Sequence, residues 1–300
     1  MTTQQSAGLA LGEANRSKTT LEPQTSAHRR GEPSAAPSGL VAANPHVSLA
    51  ERVRSGQPLF GLFCCSTSVQ NVEVLAGSGP DFLIFDHEHG PWSWPEFHAQ
   101  LAALSGSGVA AVVRVAEATP VNTRILLDLG VDAIMVANVE SAAQAADAVR
   151  CMRYPPRGVR GMGGSVRATA YGRQRPSREE ADAKAALWVQ IESRIALSNA
   201  VEIAATPGVD AVFFGPHDLA VDLGHFGDPR HPEVLAALQG GMAAVLGAGR
   251  ATGLLTAPDQ VEEWRAAGAT IIASGSDLGL LAQAADKLVA QCRVRVGGEA

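Results

Sequence analysis

Eight short apolar runs recur between residues 59 and 273, and helix-length segments separate almost every pair of them. The runs are Leu59–Cys64, Phe82–Phe85, Ala110–Val113, Ala133–Val136, Trp188–Ile191, Ala211–Phe214, Gly253–Thr256 and Thr270–Ala273. Each is nearly continuous in apolar and β-branched residues, as buried parallel strands require. Between them, Ser68–Gly77, Trp94–Ser105, Val121–Leu129, Ser141–Met152, Arg178–Ala186, Ser198–Ala205, Pro232–Gly247 and Pro258–Ala267 read as helices, and Asp277–Cys292 closes the series. Val47–Ser55 reads as a short amphipathic helix leading in. Pro95 suits a first helical turn, and Gly130 suits a left-handed cap after Leu129. Eight repeats of strand then helix predict an α/β protein of the (β/α)8 TIM-barrel class. A doubly wound open sheet is the alternative. It would want a glycine-rich turn after its first strand, and Cys64-Cys65-Ser66-Thr67 is not one.

The chain has 300 residues, 46% of them apolar, enough for one large core, and residues 45–296 are assigned to the barrel. Residues 1–44 are rich in Ser, Thr, Gln, Ala, Gly and Pro, and are expected to form a disordered tail. A net charge of −6 with no basic block argues against a nucleic-acid partner. The apolar runs are too short to cross a membrane, and no secretory leader opens the sequence. Cys64 and Cys65 are neighbours, poor geometry for a disulfide, and no Cys-x-x-Cys pair occurs. Reduced thiols in a cytoplasmic protein are therefore expected.

Barrel enzymes place their chemistry at the carboxyl ends of the strands. Here the second strand exits into Asp86-His87-Glu88-His89, the third at Arg114, the fifth at Gln190 and Glu192, and the sixth into Gly215-Pro216-His217-Asp218. Glu192 and Asp218 leave adjacent strands, spaced about 4.8 Å apart. Two converging carboxylates repel each other, and a divalent cation is a natural way to keep both ionised. The alternative is that Glu192 pairs with a surface cation such as Arg194, while Asp218 caps a helix starting at Leu219. His87 and His89 with nearby carboxylates also admit a zinc site, provided that the segment stays extended.

Six segments in order carry a resemblance: F-L-I-F-D-H-E-H-G-P, V-V-R-V, I-L-L-D-L-G-V-D-A-I-M-V, R-Y-P-P-R-G-V-R-G, V-Q-I-E-S-R and G-V-D-A-V-F-F-G-P-H-D-L. From about Val47 to Cys292 the chain resembles the HpcH/HpaI family of class II, metal-dependent pyruvate aldolases. The resemblance implies a barrel whose last helix packs on a neighbouring subunit, in a homohexamer. It also implies a lyase that releases pyruvate and an aldehyde from a 4-hydroxy-2-oxo acid. Glu192 and Asp218 then match the ligands of Mg²⁺, Mn²⁺ or Co²⁺. His89 matches the catalytic histidine, Arg114 the arginine beside the keto group, and Gln190 a polar site residue. Asp128 matches the acid that partners the histidine, expected from a neighbouring loop. His87 and His217 stand where the family's hydroxy-oxo-diacid aldolases have Gly and Ala, and both are expected to line the site. Other branches of the superfamily decarboxylate oxaloacetate or condense its enolate with a larger acceptor. A non-catalytic barrel serving as a scaffold is the remaining alternative.

On that reading Arg114 donates a charge-assisted hydrogen bond to the keto oxygen. Backbone N–H groups over Gly215, Pro216, His217 and Asp218 hold the substrate carboxylate. His89, oriented by Asp128, moves a proton. Lys184 and Lys287 fall in helices and Lys18 in the tail, so no lysine is placed for a Schiff base. The loop with Arg157, Arg160, Arg167 and Arg173 is expected to face either an anionic second substrate, solvent or another subunit.

Overall fold

The computed structural model describes residues 47–295. The tail assigned to residues 1–44, with Lys18, lies outside the described residues.

Eight parallel strands close into a barrel in sequence order. They are β1 Leu59–Cys64, β2 Phe82–Asp86, β3 Ala110–Val115, β4 Ala133–Val136, β5 Ala186–Ile191, β6 Ala211–Phe214, β7 Ala251–Leu255 and β8 Ile271–Ser276. β1 pairs with both β2 and β8, which closes the sheet and removes the open-sheet alternative. The helices are α1 Leu49–Arg54, α2 Val69–Gly77, α3 Trp94–Leu104, α4 Pro120–Leu129, α5 Ala142–Met152, α6 Arg178–Lys184, α7 Arg194–Ser198, α8 Ala200–Ala205, α9 Pro216–Asp222, α10 Pro232–Gly247, α11 Val261–Ala266 and α12 Asp277–Arg295.

Why the strands read as unbroken apolar runs is visible in the packing. Along β2, Leu83 and Phe85 join the layer between sheet and helices, while Phe82 and Ile84 point into the barrel. Inside, Phe82 meets Trp188 edge-on at 5.4 Å, and Trp188 lies parallel to Phe213 at 6.3 Å. Gly61 is required beside them, since a Cβ there would lie 2.2 Å from the Phe82 ring. Leu49, Ala50 and Val53 of α1 belong to this interior cluster, so α1 stoppers the amino end of the barrel. Ser48 caps α1 in a reciprocal pair with Glu51.

Gly130 closes α4 at φ 83°, as its position predicts. The expected helix at Ser198–Ala205 is instead α7 and α8, broken at Asn199, whose amide donates to the Glu140 carbonyl at 2.7 Å. Pro258–Ala267 divides into a 3-10 turn and α11. Among the described residues no helix is long and apolar enough to cross a membrane.

Candidate active site

At the carboxyl ends of the strands lies a cleft of about 630 Å³, whose walls include Asp86, His89, Arg114, His217 and Asp218. The strand-exit rule is thus met by side chains from β2, β3 and β6 in one opening.

Arg114, on β3, is fixed by Asp86 at the end of β2, its register partner. Its Nε donates to Asp86 Oδ1 at 3.0 Å and its Nη2 to Oδ2 at 2.7 Å, a two-pronged pair. Glu88 Oε2 lies 3.3 Å from the same Nε, and the guanidinium lies 5.0 Å over the Phe63 ring. Asp86 also accepts the N–H groups of Glu88 and His89, at 3.2 and 3.3 Å. Burial raises the Asp86 pKa, but Arg114 and those N–H groups outweigh it and hold the carboxyl below its ordinary value. Burial likewise works against the Arg114 charge, and the carboxylates of Asp86, Glu88 and Glu192 prevail, so the arginine stays cationic.

Glu192 follows β5 directly and is 6% exposed. Its Oε1 accepts the Asn138 N–H at 2.8 Å, and its Oε2 accepts from Gln190 Nε2. Asn138 adopts φ 49°, in the left-handed region that asparagine tolerates better than most residues. Gly215 leaves room for this arrangement: a Cβ there would lie 2.4 Å from Glu192 Oε2 and 2.7 Å from Gln190 Nε2. Burial, then the charges of Asp218 and Glu88, push the Glu192 pKa up to about 7, against the Asn138 N–H and Arg114. A buried carboxylate driven toward neutrality by two like charges fits a divalent cation, which would reverse the local balance. The donors are carboxylate oxygens, the hard ligands that Mg²⁺ and Mn²⁺ take.

The competing explanations for these two acids do not survive. Arg194 pairs with Asp222 at 3.1 Å, not with Glu192. The helix after β6 begins at Pro216, with Gly215 as its cap, so Asp218 lies inside the first turn rather than capping a helix at Leu219. The same geometry narrows the expected anion cradle. The Gly215 N–H donates to the Ile191 carbonyl at 3.0 Å and Pro216 has no N–H, which leaves the His217 and Asp218 N–H groups.

His87 does not line the cleft. It is buried, stacked on Trp92 at 4.1 Å and edge-on to Phe97 at 4.5 Å, and neither ring nitrogen has a hydrogen-bond partner. His89 is exposed at the cleft, with its Nε2 3.7 Å from Glu88 Oε2. A turn after β2 sends the two rings apart, one into the aromatic cluster and one to the surface, so His87 and His89 do not form the zinc site that an extended segment would allow. Burial drives the His87 pKa down to about 4, only partly countered by Asp86. An unfolded chain would protonate it near pH 6.5. Its contribution is therefore intact above pH 6.5 and lost as the pH falls from there toward about 4. Between pH 7 and pH 5 this group is expected to remove about 2 kcal/mol of stability. Urea melts at the two pH values check this; His87→Phe should flatten the difference, and an unchanged difference refutes it.

Two further expectations shift. Asp128 lies one residue before the end of α4, which leads into the start of β4, and it pairs with Arg160 at 3.1 Å. It is therefore at the amino end of the barrel, opposite His89. The arginine-rich loop follows α5 at that same end. Arg157 pairs with Asp182, and Arg167 donates to the Leu129 carbonyl at 2.9 Å. A wider cleft of about 1020 Å³ lies under this loop, with Arg160 and Asp128's neighbour Leu127 in its walls, but Glu192, Asp218, Arg114 and His89 are not among them. Within one chain the loop does not face the barrel mouth.

Sequence reasoning gave no role to Asn138, Glu88 or Asp277. Asn138 lies two residues past β4 and the strand-exit rule would have found it. Asp277 opens α12 and accepts from the Cys65 N–H at 2.8 Å and Asn71 Nδ2 at 3.0 Å, tying down the turn after β1.

A closed parallel barrel with four acids, an arginine and two histidines gathered at its strand ends is an enzyme of the TIM-barrel class. More narrowly, the chain belongs to the HpcH/HpaI aldolase/citrate lyase family, whose model matches residues 59–284. It is 42% identical over 239 residues to a hydroxypyruvate/pyruvate aldolase of Chromohalobacter salexigens, covering 79% of this chain and 94% of that one. It is 39% identical to a 4-hydroxy-2-oxo-heptane-1,7-dioate aldolase of Klebsiella pneumoniae, covering 80% and 92%. A crystal structure of an HpcH/HpaI aldolase/citrate lyase family protein from Burkholderia cenocepacia superposes with a TM-score of 0.78 at 37% identity, covering 82% of this chain and 98% of that one.

Proposed function

We propose that this protein is a metal-dependent aldolase that makes or breaks the C3–C4 bond of a 4-hydroxy-2-oxo acid, between the carbon next to the keto group and the carbon bearing the hydroxyl, with pyruvate as one partner and an aldehyde as the other. The observation that carries this reading is the gathering at the strand ends of a buried Glu192, held by the Asn138 N–H and Gln190, and an Arg114 clamped by Asp86 in the cleft that Asp218 lines. Glu192 and Asp218 would hold the divalent cation, of the Mg²⁺, Mn²⁺ or Co²⁺ type. When bound, it supplies Lewis acidity where negative charge develops on the keto oxygen.

The protein's own groups do the rest. Arg114, held rigid by Asp86, presents a fixed positive charge to the forming enolate. Gln190 fixes the Glu192 carboxylate, and the His217 and Asp218 N–H groups face the substrate carboxylate. His89, on the exposed wall of the cleft, passes the proton to or from the aldehyde oxygen. Asp128 can orient His89 only from another copy of the chain, because its own copy holds it at the other end of the barrel. The exposed Leu281 and Leu288 on α12 support such a homo-oligomer, with the hexamer implied by the family resemblance. Four free thiols support a reducing compartment such as the cytoplasm.

Exchange of pyruvate methyl protons in deuterated water, followed by NMR, tests the reading. Exchange should require a divalent ion and stop with EDTA, and borohydride with pyruvate should not inactivate. Exchange that survives EDTA, or trapping by borohydride, would overturn it.

A further inference from the structure

We propose that His225, His231 and Glu233 form a second metal site, selective for a zinc-like ion, on the rim of the catalytic cleft. Among the described residues these three alone bring a group of three or more metal-ligating atoms within 4.8 Å of one another. The loop between α9 and α10 carries the two histidines, and Glu233 lies in the first turn of α10. His225 N–H donates to the Ala220 carbonyl at 2.7 Å, Asp228 N–H to the His225 carbonyl at 3.0 Å, and His231 N–H to the Asp228 carbonyl at 3.2 Å. These turns fold the segment back on itself, and the two imidazoles stack at 3.4 Å between centroids, 15° from parallel. Glu233 Oε2 lies 2.8 Å from His225 Nε2.

Two stacked imidazoles with a carboxylate on their edge are a mixed nitrogen and oxygen donor set. Such a set prefers zinc and its neighbours, whereas the all-carboxylate pair Glu192 and Asp218 prefers harder ions. The rings must splay by a side-chain rotation to share one ion, and His231 must give up accepting the Glu233 N–H at Nδ1. The first is open to part-exposed side chains, and the second is small beside a coordinate bond to a transition metal. Water completes a four-coordinate shell. Pro229 and Arg230 of the same loop line the catalytic cleft, so an ion here fixes one wall of it.

The test uses the full chain carrying Glu192→Ala and Asp218→Ala, which removes the other proposed site. After loading with zinc and gel filtration in zinc-free buffer, one zinc per chain should remain by elemental analysis, and cobalt loading should give the visible absorption of a tetrahedral ion. Adding His225→Phe, which keeps the ring stack, or separately Glu233→Gln, should remove both signals. The site is refuted if the parent variant retains no zinc. It is equally refuted if the zinc and the cobalt spectrum persist in both further variants. Neither result bears on the aldolase reading, which rests on Glu192 and Asp218.

Discussion

Glu192→Ala is expected to abolish metal binding at the barrel mouth and to lower pyruvate proton exchange by about 10³-fold or more, the scale at which lost transition-state charge stabilisation is felt. Folding should survive, because the substitution removes a carboxyl that burial and two like charges already disfavour. What remains unsatisfied is neutral: the Asn138 N–H and the Gln190 amide. Bound Mn²⁺ in zinc-free buffer, exchange rate and thermal midpoint, measured on one preparation, decide the matter. Loss of exchange with the metal retained would transfer the ligand role elsewhere. Retention of both would remove Glu192 from the site.

Asp86→Ala is expected to cost about 3 kcal/mol of folding stability, because it strands a largely buried guanidinium. Arg114 is 11% exposed at its side chain and would keep a single ion pair, to Glu88 at 3.3 Å, beside its contact with the Phe63 ring. Activity should fall in parallel, since the arginine loses the two-pronged hold that aims it. The sign with pH follows from the depressed Asp86 pKa. The pair's contribution is present above the ordinary carboxylate pKa and is lost as the pH falls through the lower folded value. The gap between wild type and Asp86→Ala should therefore close at acid pH. Urea melts at neutral and acid pH check this, and a gap that is absent at neutral pH, or that does not narrow at acid pH, would count against it.

The barrel was legible because each strand is covered on both faces, which forces continuous apolar runs such as Phe82–Phe85 and Ala211–Phe214. Strand exits were legible for a related reason: a charged residue ending an apolar run has nowhere to go but the barrel rim, as Arg114, Glu192 and Asp218 do. His87 was misread because the direction of its ring depends on a turn and on Trp92 and Phe97, which approach from later in the chain. Where Asp128 sits was not legible because its position along α4, not its residue type, decides which end of the barrel it reaches within its own chain.

The amino-acid sequence by itself determined the barrel, its eight strands and the acidic residues that ring one end, since these follow from local periodicity and from where apolar runs stop. Only the tertiary structure decided that Asp86 clamps Arg114, that Asn138 and Gln190 hold Glu192 against Gly215, and that His225 stacks on His231. Those are meetings between distant strands or across a folded loop. They depend on angles and burial that exist only once the sheet has closed.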